Sequence, residues 1–168
     1  MASRDASPDF TALPDGSSFK FGIVVSQWNH DITDALLAGA KETLFKANVK
    51  EENIEVLTVP GSFELPWGAR QLMKADKKDG IICLGCLIQG ETKHDEYIAN
   101  AVAQGIMQLS IMSGLPVVFG VLTTHNVEQA KERAGGTHGN KGSEAAATAL
   151  QLAQIRKGDK GEKKKIGF

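Results

Sequence analysis

This 168-residue sequence is short of several things, and each shortage excludes something. It has only two cysteines, too few for the disulfide framework of a small secreted domain. Neither sign of charge dominates: 19 lysines and arginines face 20 aspartates and glutamates, for a net charge of −1. A global basic field for nucleic acid or an anionic membrane is therefore missing. No apolar run approaches the roughly 20 residues of a membrane span. The first nine residues are small, polar and partly acidic, without the basic and then apolar order of a secretory signal. A cytoplasmic, reducing location is the expectation. Aromatics make up only 6 % of the chain, so any aromatic outside a core segment asks for a role.

What is present is an ordinary globular balance of 42 % apolar and 23 % charged residues. A chain of this length buries roughly two-thirds of its unfolded surface and needs neither metal nor disulfide to fold. Residues 1–17 are polar, with Pro8 and Pro14, and read as a flexible arm. Apolar segments at Phe19 to Ser26, Ile54 to Val59, Gly80 to Ile88 and Pro116 to Thr123 read as strands. Between them, Asp31 is placed to cap a helix carrying Ile32, Ala35, Leu36, Ala40 and Leu44, which Asn48 stops. A second helix starts near Glu64, with Pro66 in its first turn. Thr92 is placed to cap a third, running to about Met112. Asn126 and Gln129 resemble a capping box for a short helix, and a last helix runs from about Lys141 to Arg156. Strands alternating with helices, each strand nearly all apolar, predict a three-layer αβα sandwich around a four-stranded parallel sheet. One domain over 18–156 is expected, with a basic, solvated tail over 157–168.

The cysteines form a C-x-x-C, Cys83 and Cys86, inside one predicted strand. Residues three apart on a strand face opposite sides, so the two thiols cannot meet one metal or each other. Packing is the better reading, and no histidine pair with a carboxylate at ligand spacing suggests a metal site.

Ligands of open parallel sheets bind beyond the carboxyl ends of the strands. Those ends carry Trp28-Asn29-His30, then Gly61-Ser62-Phe63-Glu64, then Gln89-Gly90-Glu91-Thr92-Lys93-His94, then Thr123-Thr124-His125. The Gly90-Glu91-Thr92 turn opens a helix, where free N–H groups and the helix dipole suit an anion such as phosphate. Arg133 and Lys141 flank a glycine-rich segment and can complete such a site. Neither a Walker A pattern nor a Rossmann glycine triplet is present, which argues against a nucleotide. Plainer readings remain for each: His94 exposed in a first helical turn, Trp28 in the core, Glu64 as a capping carboxylate, Arg133 and Lys141 as solvated cations. His30, His125 and His138 read as structural.

Taken together, Val59-Pro-Gly-Ser-Phe-Glu64, Gly90-Glu-Thr-Lys-His-Asp95, Pro116-Val-Val-Phe-Gly120, Glu132-Arg-Ala-Gly135 and Gly139-Asn-Lys-Gly142 resemble the lumazine synthase family, in its order and spacing over about Phe19 to Ile155. The resemblance implies a flavodoxin-like fold. It implies an enzyme, a transferase that condenses 5-amino-6-(D-ribitylamino)uracil with 3,4-dihydroxy-2-butanone 4-phosphate to 6,7-dimethyl-8-ribityllumazine, phosphate and water, in riboflavin biosynthesis. No metal and no organic cofactor is implied. Trp28 takes the place of the aromatic stacked on the pyrimidine, with Asn29 beside it. Ser62, Phe63 and Glu64 match the segment holding the pyrimidine and ribityl chain. Cys86, Leu87 and Ile88 match the strand end that contacts the ring, Glu91 and Thr92 the phosphate-side turn, and His94 the proton donor. Phe119, Arg133 and Lys141 match residues supplied by a neighbouring subunit, with Arg133 acting on the phosphate. The implied partners are other copies of the chain in a homopentamer with sites between subunits, and riboflavin synthase. The short Gly135 to Lys141 connection permits closure of twelve pentamers into a 60-subunit icosahedral capsid, which Pro8 and Pro14 oppose. Two departures stand out: Gln89 replaces a frequent arginine, and Trp28 a frequent phenylalanine. The competing readings are an archaeal-type riboflavin synthase, which dismutates the lumazine, and a flavin-binding shell protein without catalysis. Glu64, His94, Arg133 and Lys141 occurring together speak against the latter.

Overall fold

The structure is a computed structural model that describes residues 9–165, with side chains through Lys160. The expectations placed on residues 1–8 and 166–168 lie outside the described residues.

Two strands are buried almost throughout, β1 (Phe21–Ser26) and β3 (Gly80–Ile88), and continuous apolar runs of this kind belong in the middle of a covered sheet. They pair in parallel, Phe21 beside Gly80. β2 (Ile54–Val59) flanks β1 and β4 (Val117–Thr124) flanks β3, giving the parallel order β2-β1-β3-β4. Helices α1 (His30–Lys46) and α5 (Lys141–Lys165) cover one face, over Phe21, Ile23, Ile82 and Leu84. Helices α2 (Leu65–Ala75) and α3 (His94–Ser113) cover the other, over Val24, Ile81 and Cys83. This is the predicted three-layer sandwich. Strand β2 departs from the all-apolar expectation: it is an edge strand, and Glu55, Val56 and Thr58 face outward.

The two cysteines lie on opposite faces of β3, Cys86 in the core beneath α1 and α5 and Cys83 in the core beneath α2 and α3. Both are free thiols, and burial pushes Cys83 up to about 12 and Cys86 to about 11.

Helix ends differ from expectation in three places. Asp31 does not cap α1; Asn29 stands at the cap in the left-handed region (φ 58°), and Asp31 falls within the first turn, where its charge suits the dipole. Thr92 does not cap α3, which starts two residues later, behind Lys93, with no side-chain cap at all. The predicted end of α5 at Arg156 is passed: the helix continues to Lys165. There Arg156 donates from Nε to the carbonyl of Gly114 (2.9 Å) and the Lys157 ammonium lies 5.6 Å from the Phe19 ring centre. These contacts outweigh the low helix propensity of Gly158.

Other signals hold. Asn48, at φ 66°, ends α1. Asn126 caps α4 (Val127–Glu132) by accepting from the Gln129 N–H at 2.9 Å, while the Gln129 side chain reaches one residue further back than a capping box, to the His125 N–H. The segment read as an arm is docked from Leu13 onward: Leu13 packs on the core, and Gly16 donates its N–H to Ala47 at 2.6 Å. An unpredicted antiparallel hairpin, β5 (Ala134–Gly136) and β6 (Gly139–Asn140), joins α4 to α5. Asn140 caps α5 by accepting from the N–H of Gly142 (2.8 Å) and of Ser143 (3.2 Å), and its amide donates to Ala35 of α1 (3.0 Å). Gly142 touches α1 so closely that a Cβ there would stand 1.9 Å from the Leu36 carbonyl oxygen.

Candidate functional site

The strand order reverses between β1 and β3, and a cleft of about 810 Å³ opens at their carboxyl ends. Trp28 and Asn29 reach it directly after β1. The left-handed turn at Asn29 lets its amide donate to the Cys86 carbonyl at 3.0 Å, which ties the end of β1 to the end of β3. Trp28 is 73 % exposed, with its ring edge over Gly61. That exposure disposes of the core reading and leaves a flat apolar face free to stack.

After β2, the chain makes a single 3-10 turn, Ser62–Glu64, along the same wall. Glu64 does serve as a cap, accepting from the Gly61 N–H at 2.9 Å from Oε2, and it lines the cleft as well. The capping reading of Glu64 therefore holds, and the same residue stands where the ligand-binding reading needs it. Phe63 is exposed at the rim and Ser62 is buried in the floor. The end of β3 supplies Cys86, Leu87 and Ile88, followed by Gly90 and Thr92. Glu91 is exposed and does not line the cleft. His94 stands at the first position of α3 and faces the cleft, close to the uncapped N–H groups of that helix.

A second cleft, of about 750 Å³, lies at the far side of β4. It collects Phe119, Arg133 and Lys141, the three residues that the resemblance ascribes to a neighbouring subunit. The two clefts share no lining residue. The sequence-predicted site thus falls into two groups that one chain does not bring together.

Several residues in or beside these clefts escaped the sequence reading. Tyr97 and Ile98 line the first; Tyr97 stands three residues after His94, the spacing that puts two side chains on one helical face, and this could have revealed it. Glu144 stands between the two cations of the second cleft, 3.3 Å from Lys141 Nζ and 3.9 Å from Arg133. Its spacing from Lys141 was again the available signal. His125, read as structural, meets the Oε1 of the Gln89 side chain through Nδ1, so that side chain turns toward the end of β4 instead of standing free beside the Gly90 turn.

A parallel sheet with an aromatic and polar cleft across its switch point defines the class: an α/β sandwich that holds a small ligand at the carboxyl edge of its strands. Residues 18–157 match the family model of 6,7-dimethyl-8-ribityllumazine synthase, and the chain belongs to that family. Its relatives include proteins of that name from Parabacteroides distasonis, 49 % identical over 88 % of this chain and 92 % of the relative. The counterpart from Bacteroides fragilis is 54 % identical over 79 % and 93 %. That from Cytophaga hutchinsonii is 53 % identical over 83 % and 88 %.

Proposed function

We propose that this chain condenses 5-amino-6-(D-ribitylamino)uracil with 3,4-dihydroxy-2-butanone 4-phosphate to give 6,7-dimethyl-8-ribityllumazine, phosphate and water. Family membership supports the reaction. The observation that carries the reading of the site is the division of its expected residues between two clefts. The pyrimidine lies in the first, with its ring on Trp28 and its polar edge and ribityl chain along Ser62, Phe63, Glu64 and the end of β3. The phosphate lies at the Gly90 to Thr92 turn, where the uncapped start of α3 presents N–H groups. Arg133 and Lys141 of a neighbouring copy close over it, and Phe119 of that copy covers the ring.

The chemistry asks for proton movement and for stabilisation of departing charge. The arylamine attacks the ketone carbon, a first water leaves to give an imine, phosphate is eliminated, and the ribitylamino nitrogen closes the ring on the remaining carbonyl with loss of a second water. His94 stands beside the reacting atoms and passes protons among amine, hydroxyl and leaving groups, a role worth roughly 10²–10⁴ in rate. Arg133 and the helix start stabilise charge on the departing phosphate. Alignment of two already reactive substrates supplies the larger share, about 7–11 kcal/mol when the geometry is good.

The same reading makes the working unit a homopentamer with a site at each interface. The hairpin of β5 and β6 keeps the connection before α5 tight, which favours closure of twelve pentamers into a shell. Incubating the purified protein with both substrates and following the absorbance and fluorescence of the lumazine tests the activity: product should require both substrates, and its absence with folded protein would end the proposal.

A further inference from the structure

Two buried hydroxyls lie beneath the first cleft without a hydrogen-bond partner among the described residues, Ser26 Oγ and Ser62 Oγ. Ser26 is the last residue of β1 and is 1 % exposed; Ser62 opens the 3-10 turn and is 4 % exposed. A buried hydroxyl that gives up water and gains no partner costs free energy, so two beside one ligand cleft call for a reason.

Gly85 brings them together. Val25 pairs with Leu84 across β1 and β3, so Ser26 and Gly85 follow side by side at the ends of the two central strands. A Cβ on Gly85 would stand 2.5 Å from Ser62 Oγ and 3.3 Å from Ser26 Oγ. The bare Cα of Gly85 is what leaves both hydroxyls room in the same small space. Of the two residues, Ser62 lines the cleft and Ser26 does not; both hydroxyl oxygens are themselves buried, so Ser62 meets a ligand by turning its hydroxyl about χ1 into the cleft. The backbone of Ser26 is held, its carbonyl accepting from Thr33 Oγ1 at 2.8 Å, so its hydroxyl has only rotation about χ1 left to it.

We propose that Ser26 is a positioning residue for the pyrimidine substrate and acts through Ser62. This rests on the reading that places the pyrimidine over Ser62. The edge of that ring alternates N–H and C=O groups. When Ser62 donates its proton to a ring carbonyl, its oxygen is free to accept, and Ser26 Oγ–H turns to supply that bond. The two hydroxyls then form a short relay whose direction is set by the ligand, each bond polarising the next. In the empty cleft neither serine is satisfied, and binding relieves both.

The relay predicts opposite signs for stability and for function, which a packing role does not. Replacing Ser26 by alanine removes an unpaired buried hydroxyl from the unliganded protein, so the melting temperature should be unchanged or higher. In the same variant KM for the pyrimidine should rise about threefold to tenfold, the worth of one neutral hydrogen bond, with KM for the butanone phosphate unchanged. Ser62→Ala should act in the same direction, and the Ser26→Ala/Ser62→Ala double variant should be no worse than Ser62→Ala alone. An unaltered KM for the pyrimidine in Ser26→Ala overturns the proposal. So does a double variant in which the two effects multiply, or a lowered melting temperature with both KM values raised. Wild-type turnover in the same assay keeps the two readings apart: a wild type that forms no lumazine overturns the proposed function, whereas an active wild type beside an unaffected Ser26→Ala overturns only the role of Ser26.

Discussion

Glu144 holds Arg133 and Lys141 on one carboxylate, so the second cleft presents two cations already gathered. Phosphate has only to replace one anion by a better one, and the guanidinium can then bind it bidentately. Replacing Arg133 by alanine should raise KM for the butanone phosphate about tenfold to a hundredfold, the worth of a charged hydrogen bond of about 1.5–3 kcal/mol, with KM for the pyrimidine little changed. Initial rates with each substrate varied in turn would show it. His94→Ala should slow turnover and still leave measurable product, because alignment survives the loss of the imidazole. Single-turnover measurements with both substrates saturating would separate this from weakened binding. At this scale much of the lining of the first cleft was legible, since Trp28 stands just past the end of β1 and Glu64 and His94 stand at helix starts. Glu144 was passed over although its spacing from Lys141 in a helix expected from about Lys141 was there to read; its approach to Arg133 was not legible, because it needs the hairpin between them.

The central strands were readable because burial on both faces leaves only apolar residues in β1 and β3, and helix periodicity set α1 and α5 apart from them. What could not be read was whatever depends on contact between elements. The β5–β6 hairpin is built from glycines with no side-chain pattern to betray pairing. The last turns of α5 are polar and carry two glycines, Gly158 and Gly161, so composition alone reads as tail, while Arg156 and Lys157 find their partners on Gly114 and Phe19. The crossing of α5 over α1 depends on Gly142. Gly142→Ala drives a methyl into the Leu36 carbonyl, a backbone group that cannot swing aside, and should cost about 1–3 kcal/mol or more, read as a lowered denaturation midpoint at unchanged m-value. The thiols of β3 give a second expectation. Because burial raises Cys83 and Cys86 in the folded chain, the folded state keeps protons that the unfolded state loses, so stability is complete below the ordinary thiol value near 9 and falls as pH climbs from there toward 12. Denaturant titrations between pH 8 and pH 11 should show that decline beyond the general alkaline loss, and a Cys83→Ala/Cys86→Ala variant should lack it. In native protein at pH 8 neither thiol should react with a disulfide reagent on the time scale of the denatured control.

The whole molecule exposes apolar side chains that a lone chain would hide: Trp28 and Phe63 at the cleft, and Tyr97, Met107, Ile111 and Met112 along α3. Patches of this kind mark contact with other protein. The proposed assembly is what would cover them, and it ties activity to association. Light scattering at neutral pH should report a particle many times the 18.0 kDa of the chain, and Ile111→Lys, which sets a charge on α3 outside both clefts, should shrink that particle and remove activity with it. Dilution should lower specific activity once assembly fails, at a concentration that scattering and turnover share.

The separation of the two clefts has a consequence for inheritance. If each chain lends its first cleft to one site and its second to the next, lesions at Trp28 or His94 and lesions at Phe119 or Arg133 damage different sites of a mixed ring. Two alleles broken in different clefts, expressed together, then restore some intact sites that neither makes alone, and two broken in the same cleft restore none. Loss-of-function alleles of this single gene should sort into two complementation groups, with the boundary drawn between the carboxyl edge of β1 to β3 and the far side of β4.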